Sequence, residues 1–161
     1  MRGMMLNSTA GKAIDRRAFT LGLAGVATSI GMGGAAMAQD MPAEVQSVLK
    51  TLIGDATPID GKISLQLPEV AENGNTIPYS VEVESPMTET EFVKAVHILA
   101  PSNPHPRVAT FNFTSQSGKA ATSSRMRLGQ TQDVLAIAQM SDGRVYKTKR
   151  TVRVTVGGCG G

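Results

Sequence analysis

The sequence is poor in residues that bind metals, cross-link a chain or form large aromatic clusters. It has 161 residues, of which one is cysteine, two are histidine and none is tryptophan. A single cysteine cannot form an internal disulfide, so the fold must depend on a noncovalent core. The absence of tryptophan also excludes the Cys–Trp–Cys signature of antibody domains.

Motifs for common catalytic chemistry are also lacking. The chain has no phosphate-binding glycine loop, no haem-attachment pair and no nucleophile elbow. His97 lies in an apolar run and His105 lies in a Pro-rich turn, and neither has a Cys, His or carboxylate partner at metal-ligand spacing. We expect structural roles for both histidines, and no enzyme active site, metal or cofactor.

The amino terminus carries an export motif. Arg16 and Arg17 are adjacent, Phe19 follows, and an apolar stretch over residues 21–36 comes next. This arrangement resembles a bacterial twin-arginine signal. Five glycines interrupt the apolar stretch, which leaves it too weakly hydrophobic to remain in a bilayer.

A signal-peptidase site of the small-x-small form follows at residues 36–38. We therefore expect residues 1–38 to be a signal peptide and the mature protein to be periplasmic, with no membrane segment. The mature 123 residues contain 12 basic and 12 acidic side chains, so the net charge of +3 belongs to the signal. Nothing in this balance favours a nucleic-acid partner.

The mature chain reads as one domain over residues 39–156. Apolar residues at helical spacing predict a helix at residues 43–53, and Gly54 ends it. Seven runs with period-two alternation follow, at residues 62–67, 77–84, 91–99, 108–114, 121–128, 133–140 and 145–156. Asp142-Gly143 predicts a hairpin between the last two runs. The pattern predicts an all-β, immunoglobulin-like antiparallel β-sandwich with a short N-terminal helix.

The last run has one basic face. That face contains Lys147, Lys149, Thr151, Arg153 and Thr155. Such a face can be simply solvated, or it can protect a sheet edge from unwanted pairing. It can also favour the thiolate form of a nearby cysteine and attract small anions. The sequence leaves these interpretations open.

The chain ends in a cysteine surrounded by glycines, Gly157-Gly158-Cys159-Gly160-Gly161. Glycine has no side chain to restrict the backbone, so this segment predicts a flexible arm. Three residues at about 3.3 to 3.6 Å each carry the Cys159 sulfur roughly 10 Å past Val156. A mobile arm supplies no fixed base or oxyanion site, so Cys159 is suited to carrying a substrate into another protein's pocket.

With these features the chain resembles the SoxY family, the sulfur-carrier subunits of the bacterial thiosulfate-oxidising system. The terminal pentapeptide carries the resemblance specifically, whereas the export signal and the β-rich body agree with it more loosely. The resemblance implies covalent attachment of thiosulfate-derived intermediates to Cys159. It further implies a heterodimer with a SoxZ-like subunit, and visits to a SoxAX-like c-type cytochrome, a SoxB-like hydrolase and a SoxCD-like sulfur dehydrogenase.

Two other interpretations fit parts of the sequence. Ubiquitin-like sulfur carriers also end in Gly-Gly and carry sulfur on the terminal carboxylate, here that of Gly161. Their activation needs ATP, which an exported protein lacks, and Cys159 would have no role. The second alternative is a secreted β-sandwich whose Cys159 only forms an intermolecular disulfide dimer.

Overall fold

The computed structural model describes residues 42–156, which form one helix and nine strands within one compact unit. The expected signal peptide at residues 1–38, with Arg16, Arg17 and Phe19, lies outside the described residues. The same holds for the expected arm at residues 157–161, including Cys159. The proposed limits of these two segments therefore stay predictions.

The single helix, α1, spans Ala43–Ile53 and confirms the helix predicted from the apolar spacing. It starts directly after Pro42, a residue suited to the beginning of a helix because it lacks an N–H group. It ends at Gly54, whose φ of 62° is in the left-handed region and whose N–H donates to the Lys50 carbonyl at 2.9 Å.

The nine strands account for most of the remaining chain. They are β1 Ile59–Asp60, β2 Ile63–Gln66, β3 Val70–Ala71, β4 Ile77–Val83, β5 Val93–Leu99, β6 Arg107–Asn112, β7 Ala120–Met126, β8 Gln132–Met140 and β9 Val145–Val154. Each of the seven predicted runs contains one of these strands. The two extra strands, β1 and β3, have two residues each, too few for an alternating pattern to register.

The strands form two sheets that pack as a sandwich. The larger sheet has the order β1-β9-β8-β5-β6, and β3 also pairs with β9; the smaller sheet has the order β2-β4-β7. All pairs are antiparallel except those of β1 and β3, which run parallel to β9. The predicted hairpin joins β8 and β9, with Gly143 at a φ of 87°. The β-sandwich prediction is confirmed.

The main core lies between the two sheets. Alternate residues of each strand point inward, as in β4, where Ile77, Tyr79, Val81 and Val83 are buried and the residues between them are partly or fully exposed. The larger sheet contributes Val96 and Ile98 from β5 and four residues of β8, all at most 1 % exposed. Burial of this apolar surface is the principal stabilising contribution to the domain.

A second, smaller core explains why β5 and β8 are apolar on both faces. Leu99, Ile137 and Val145 lie on the outer face of the larger sheet, and the apolar side of α1 packs on them. The Gln139 amide also donates a hydrogen bond to the Leu52 carbonyl at the end of the helix. The helix therefore covers the centre of the outer face and leaves the lower part of β9 uncovered.

We predict that Ile98→Ala destabilises the domain by about 2 to 5 kcal/mol, since it opens a cavity in the main core. Ile98 is 0 % exposed. Ile59→Ala is the matched control, because Ile59 is 50 % exposed and its truncation should stay within about 0.5 kcal/mol of the parent. Urea unfolding followed by circular dichroism measures both values. Equal losses for the two variants would contradict the described core.

Candidate functional site

The site is built around the end of β9, where the chain leaves the sandwich toward Cys159. Three backbone hydrogen bonds hold this end against the segment that contains β3. The N–H groups of Arg153 and Thr155 donate to the carbonyls of Glu69 and Ala71 at 2.9 and 3.0 Å, and Gly74 donates to the Val156 carbonyl at 2.7 Å. The strand is thus fixed up to Val156, the last described residue.

The opposite flank of β9 is held by a side chain. Thr131, just before β8, accepts a hydrogen bond from the Val154 N–H at 2.9 Å and donates to the Val154 carbonyl at 3.4 Å. Partners on two sides leave the end of β9 little freedom to move. Cys159 comes three residues after this anchored point, outside the described residues.

The basic face predicted for β9 is present on the outer side of the larger sheet, beyond the area covered by α1. It is partly neutralised by Asp133 of β8, whose carboxylate accepts hydrogen bonds from Thr151 at 2.5 Å and from Lys149 at 3.0 Å. The Thr151 hydrogen bond and then the Lys149 ammonium lower the pKa of Asp133. Lys149 is therefore paired, whereas Arg150 and Arg153 make no ion pair within residues 42–156.

A cleft of about 660 Å³ opens beside these arginines. It lies where the two sheets separate, between β2 and β3 on one side and β9 on the other. Its lining consists of Leu65, Gln66, Leu67, Glu69, Val70, Thr131, Arg150, Thr151 and Arg153. The cleft joins a strongly polar wall on β9 to an apolar wall on β2, directly next to the anchored end of the chain.

The sequence did not reveal this cleft. Arg150 and Arg153 lie on opposite sides of the alternating pattern of β9, so the pattern alone did not group them. The facing wall depends on β3, which is too short to predict, and on the parallel pairing of Val70 with Arg153. A basic residue on the otherwise apolar side of β9 was the one available signal.

The two histidines occupy positions that suit structural roles. His97 is 5 % exposed in β5, and its Nδ1 lies 2.9 Å from the Thr110 hydroxyl of β6. His105 is exposed in the loop before β6, beside the start of α1. Over residues 42–156, no group of three or more His, Cys, Asp or Glu side chains is placed to hold a metal ion. Nor is any helix in this range long and apolar enough to cross a membrane.

Comparisons with known proteins define the class. The family model described as "Sulfur oxidation protein SoxY" matches residues 49–159, a region that extends from α1 to the single cysteine. The sulfur carrier protein SoxY from Chlorobium limicola f. thiosulfatophilum superimposes with a TM-score of 0.60 at 27 % identity. The match covers 70 % of this chain and 96 % of that one. None of the curated proteins compared matches the chain.

More distant structures share the fold alone. A superoxide reductase (neelaredoxin) variant from Ignicoccus hospitalis gives a TM-score of 0.52 at 11 % identity, covering 58 % of this chain and 79 % of that one. A putative superoxide reductase from Thermotoga maritima gives 0.50 at 12 % identity, covering 60 % and 93 %. These identities are too low to carry an activity across.

The sandwich fold, the short helix and the matched region together define a β-sandwich carrier protein of bacterial sulfur oxidation. Within that class, the chain belongs to the SoxY family.

Burial of His97 makes the stability of the domain depend on pH. Desolvation lowers the pKa of His97, the Gln139 side chain opposes this effect and the charge of Arg107 adds to it. The unfolded chain therefore binds a proton more readily than the folded chain. We predict that the free energy of unfolding falls as the pH drops below about 6.5, the ordinary value for histidine.

The measurement is the urea midpoint between about pH 7 and pH 5, compared with that of His97→Gln. The substitution should remove up to about one proton's worth of the pH dependence. His105→Gln, at an exposed loop position, serves as the control and should leave the profile unchanged. A profile that is identical in His97→Gln and the parent would contradict the assignment.

Proposed function

We propose that this protein is a periplasmic sulfur carrier that holds thiosulfate-derived intermediates covalently on Cys159 and presents them to separate Sox enzymes. The observation that carries the proposal is the SoxY family match, which ends at residue 159, the position of the only cysteine. The Chlorobium relative, itself named as a sulfur carrier protein, supports it.

Loading of the arm is an oxidation. The Cys159 thiol loses its proton, and its sulfur forms an S–S bond with the outer sulfur of thiosulfate. The electron pair released by this step passes to a SoxAX-like c-type cytochrome. The product is a cysteine S-thiosulfonate, whose terminal sulfonate carries one negative charge.

Unloading needs water and one further oxidation. A SoxB-like hydrolase adds water across the bond to the sulfonate, which releases sulfate and leaves a persulfide on Cys159. A SoxCD-like sulfur dehydrogenase then oxidises the outer sulfur to a sulfonate, with oxygen atoms from water and electrons leaving to its own acceptors. A second hydrolysis releases sulfate and restores the thiol.

The geometry at the end of β9 suits this division of labour. The hydrogen bonds to Glu69, Ala71 and Gly74 fix the base of the arm up to Val156. Beyond this point Gly157, Gly158, Gly160 and Gly161 impose no bulky side chains around Cys159. Each partner enzyme then needs only a channel wide enough for a glycine backbone and one sulfur-bearing side chain.

Export and assembly complete the proposal. Arg16, Arg17 and Phe19 form the twin-arginine motif that directs the folded protein to the periplasm, and residues 1–38 are removed there. A SoxZ-like subunit without its own signal forms a heterodimer with this chain before export. Twin-arginine transport of folded cargo allows the pair to cross together.

Cys159→Ser should abolish thiosulfate-dependent electron transfer in a reconstituted Sox system, because serine cannot form the S–S bond to thiosulfate. Cytochrome reduction on addition of thiosulfate measures this activity. Unchanged circular dichroism and urea midpoint provide the control for folding. Retained activity in this variant would contradict the assignment of Cys159.

Intact mass after incubation with thiosulfate and the partner cytochrome separates the carrier from the alternative of a simple disulfide dimer. A carrier gains a thiosulfonate adduct on the C-terminal peptide, and dithiothreitol removes it. A disulfide dimer gives a doubled mass with no small adduct.

Substituting Gly158→Val and Gly160→Val together should slow turnover by the partner enzymes on the order of tenfold or more, since the branched side chains obstruct entry into narrow channels. The reaction of Cys159 with a small alkylating reagent should be almost unchanged. Rates of alkylation and of enzymatic turnover are measured on the same preparations. If both rates fell equally, steric access to the partners would not be the explanation.

A further inference from the structure

We propose that the cleft beside the end of β9 is an anion site that holds the sulfonate end of the loaded arm between visits to the partner enzymes. The occupant is the segment 157–161 of the same chain, carrying the S-thiosulfonate on Cys159. The inference rests on the proposed function, because it takes the cargo to be a sulfonate attached to this cysteine.

The edge of β9 is incomplete at this cleft. On the side away from β8, β1 pairs with residues 146 and 147, and β3 pairs with residues 153 and 154. Residues 148–152 have no strand partner on that side. The N–H of Arg153 points this way, toward the Glu69 carbonyl, and the alternation of a strand directs the N–H groups of Thr151 and Lys149 to the same side. The gap therefore presents backbone donors.

Two guanidinium groups add charge to these donors. Arg150 and Arg153 line the cleft, and neither forms an ion pair with any carboxylate in residues 42–156. Guanidinium groups offer paired N–H donors that match the oxygen atoms of sulfonate or sulfate groups. The hydroxyls of Thr131 and Thr151 lie in the same lining.

Glu69 offsets part of this charge. It lines the cleft too, so the two arginines and one glutamate give a net charge of +1. That value matches the single negative charge of a thiosulfonate. Hydrogen bonds to an exposed anion of this kind are weak, which suits a cargo that must be released to the next enzyme.

The arm has the length that this site requires. Arg153 lies three residues before Val156, so the strand separates their Cα atoms by roughly 10 Å. Cys159 lies three residues after Val156, so an arm that reverses direction at Gly157 and Gly158 brings its sulfur back to the level of Arg153. The thiosulfonate extends further still, into the cleft.

The test uses the full mature chain, loaded without any partner enzyme. The Cys159 thiolate attacks an inner sulfur of tetrathionate, which forms the S-thiosulfonate and expels thiosulfate. A second preparation carries a neutral methyl disulfide from methyl methanethiosulfonate, with methanesulfinate as the leaving group. The rate at which a neutral phosphine removes each adduct reports how well the cleft shields it.

Arg150→Gln with Arg153→Gln should accelerate removal of the thiosulfonate by about threefold to fivefold, and leave removal of the methyl disulfide unchanged. Lys147→Gln is the matched control, because Lys147 is a cation of β9 that does not line the cleft. It should leave both rates unchanged. Added NaCl should accelerate removal of the thiosulfonate from the unsubstituted chain, which tests the charge without any substitution.

Several results would overturn the proposal. Equal sensitivity of the two adducts to the arginine substitutions would show that the charge of the cargo is not recognised. An equal effect of Lys147→Gln would assign the protection to the general field of β9 instead of the cleft. Because tetrathionate loads the thiol chemically, these outcomes are independent of whether thiosulfate is the cargo in the Sox reaction, which cytochrome reduction tests.

Discussion

The hydrogen bonds between the end of β9 and the segment around β3 are the constraint on which the rest of the site depends. Without them, the last residues of β9 would extend past the end of β8 with little support on that flank. With them, the chain leaves the sandwich at one defined point, Val156, in one defined direction. A short arm is useful only when its base is fixed, since otherwise the reactive sulfur would sample a volume too large for efficient capture.

The same pairing creates the cleft. β3 contacts β9 over only two residues, and β1 contacts it over two others, which leaves the edge open between them. A longer β3 would have closed the gap and covered the donors of residues 149 and 151. The site thus follows from strands that are too short to complete the sheet, next to a smaller sheet that diverges from β9.

The sandwich itself says little about chemistry. Superoxide reductases from Ignicoccus and Thermotoga share the fold at 11 and 12 % identity, so the same packing of two sheets supports unrelated activities. In this chain the proposed chemistry lies in five terminal residues, and the core serves to position them. This arrangement separates stability from function, because the buried residues of β4, β5 and β8 can vary without touching the arm.

What the sequence could predict follows from the range of each signal. Residues 43–53 have a complete helical pattern and a glycine stop, and the seven longer strands alternate clearly, so these elements were predictable. The hairpin at Asp142-Gly143 was predictable because that dipeptide favours the turn. The pairing of Val70 with Arg153 joins residues 83 positions apart through a strand of two residues, and no local pattern encodes it.

Charge connects the cleft to the proposed cycle. An S-thiosulfonate and an S-sulfonate are anionic at every physiological pH, whereas a cysteine thiol with an ordinary pKa near 8.5 is mostly neutral. Arg150 and Arg153 therefore attract the arm when a sulfonate is attached and lose that attraction once sulfate has been released. The position of the arm would then depend on its cargo, since hydrolysis removes the group that the cleft recognises and leaves Cys159 free to meet the next enzyme.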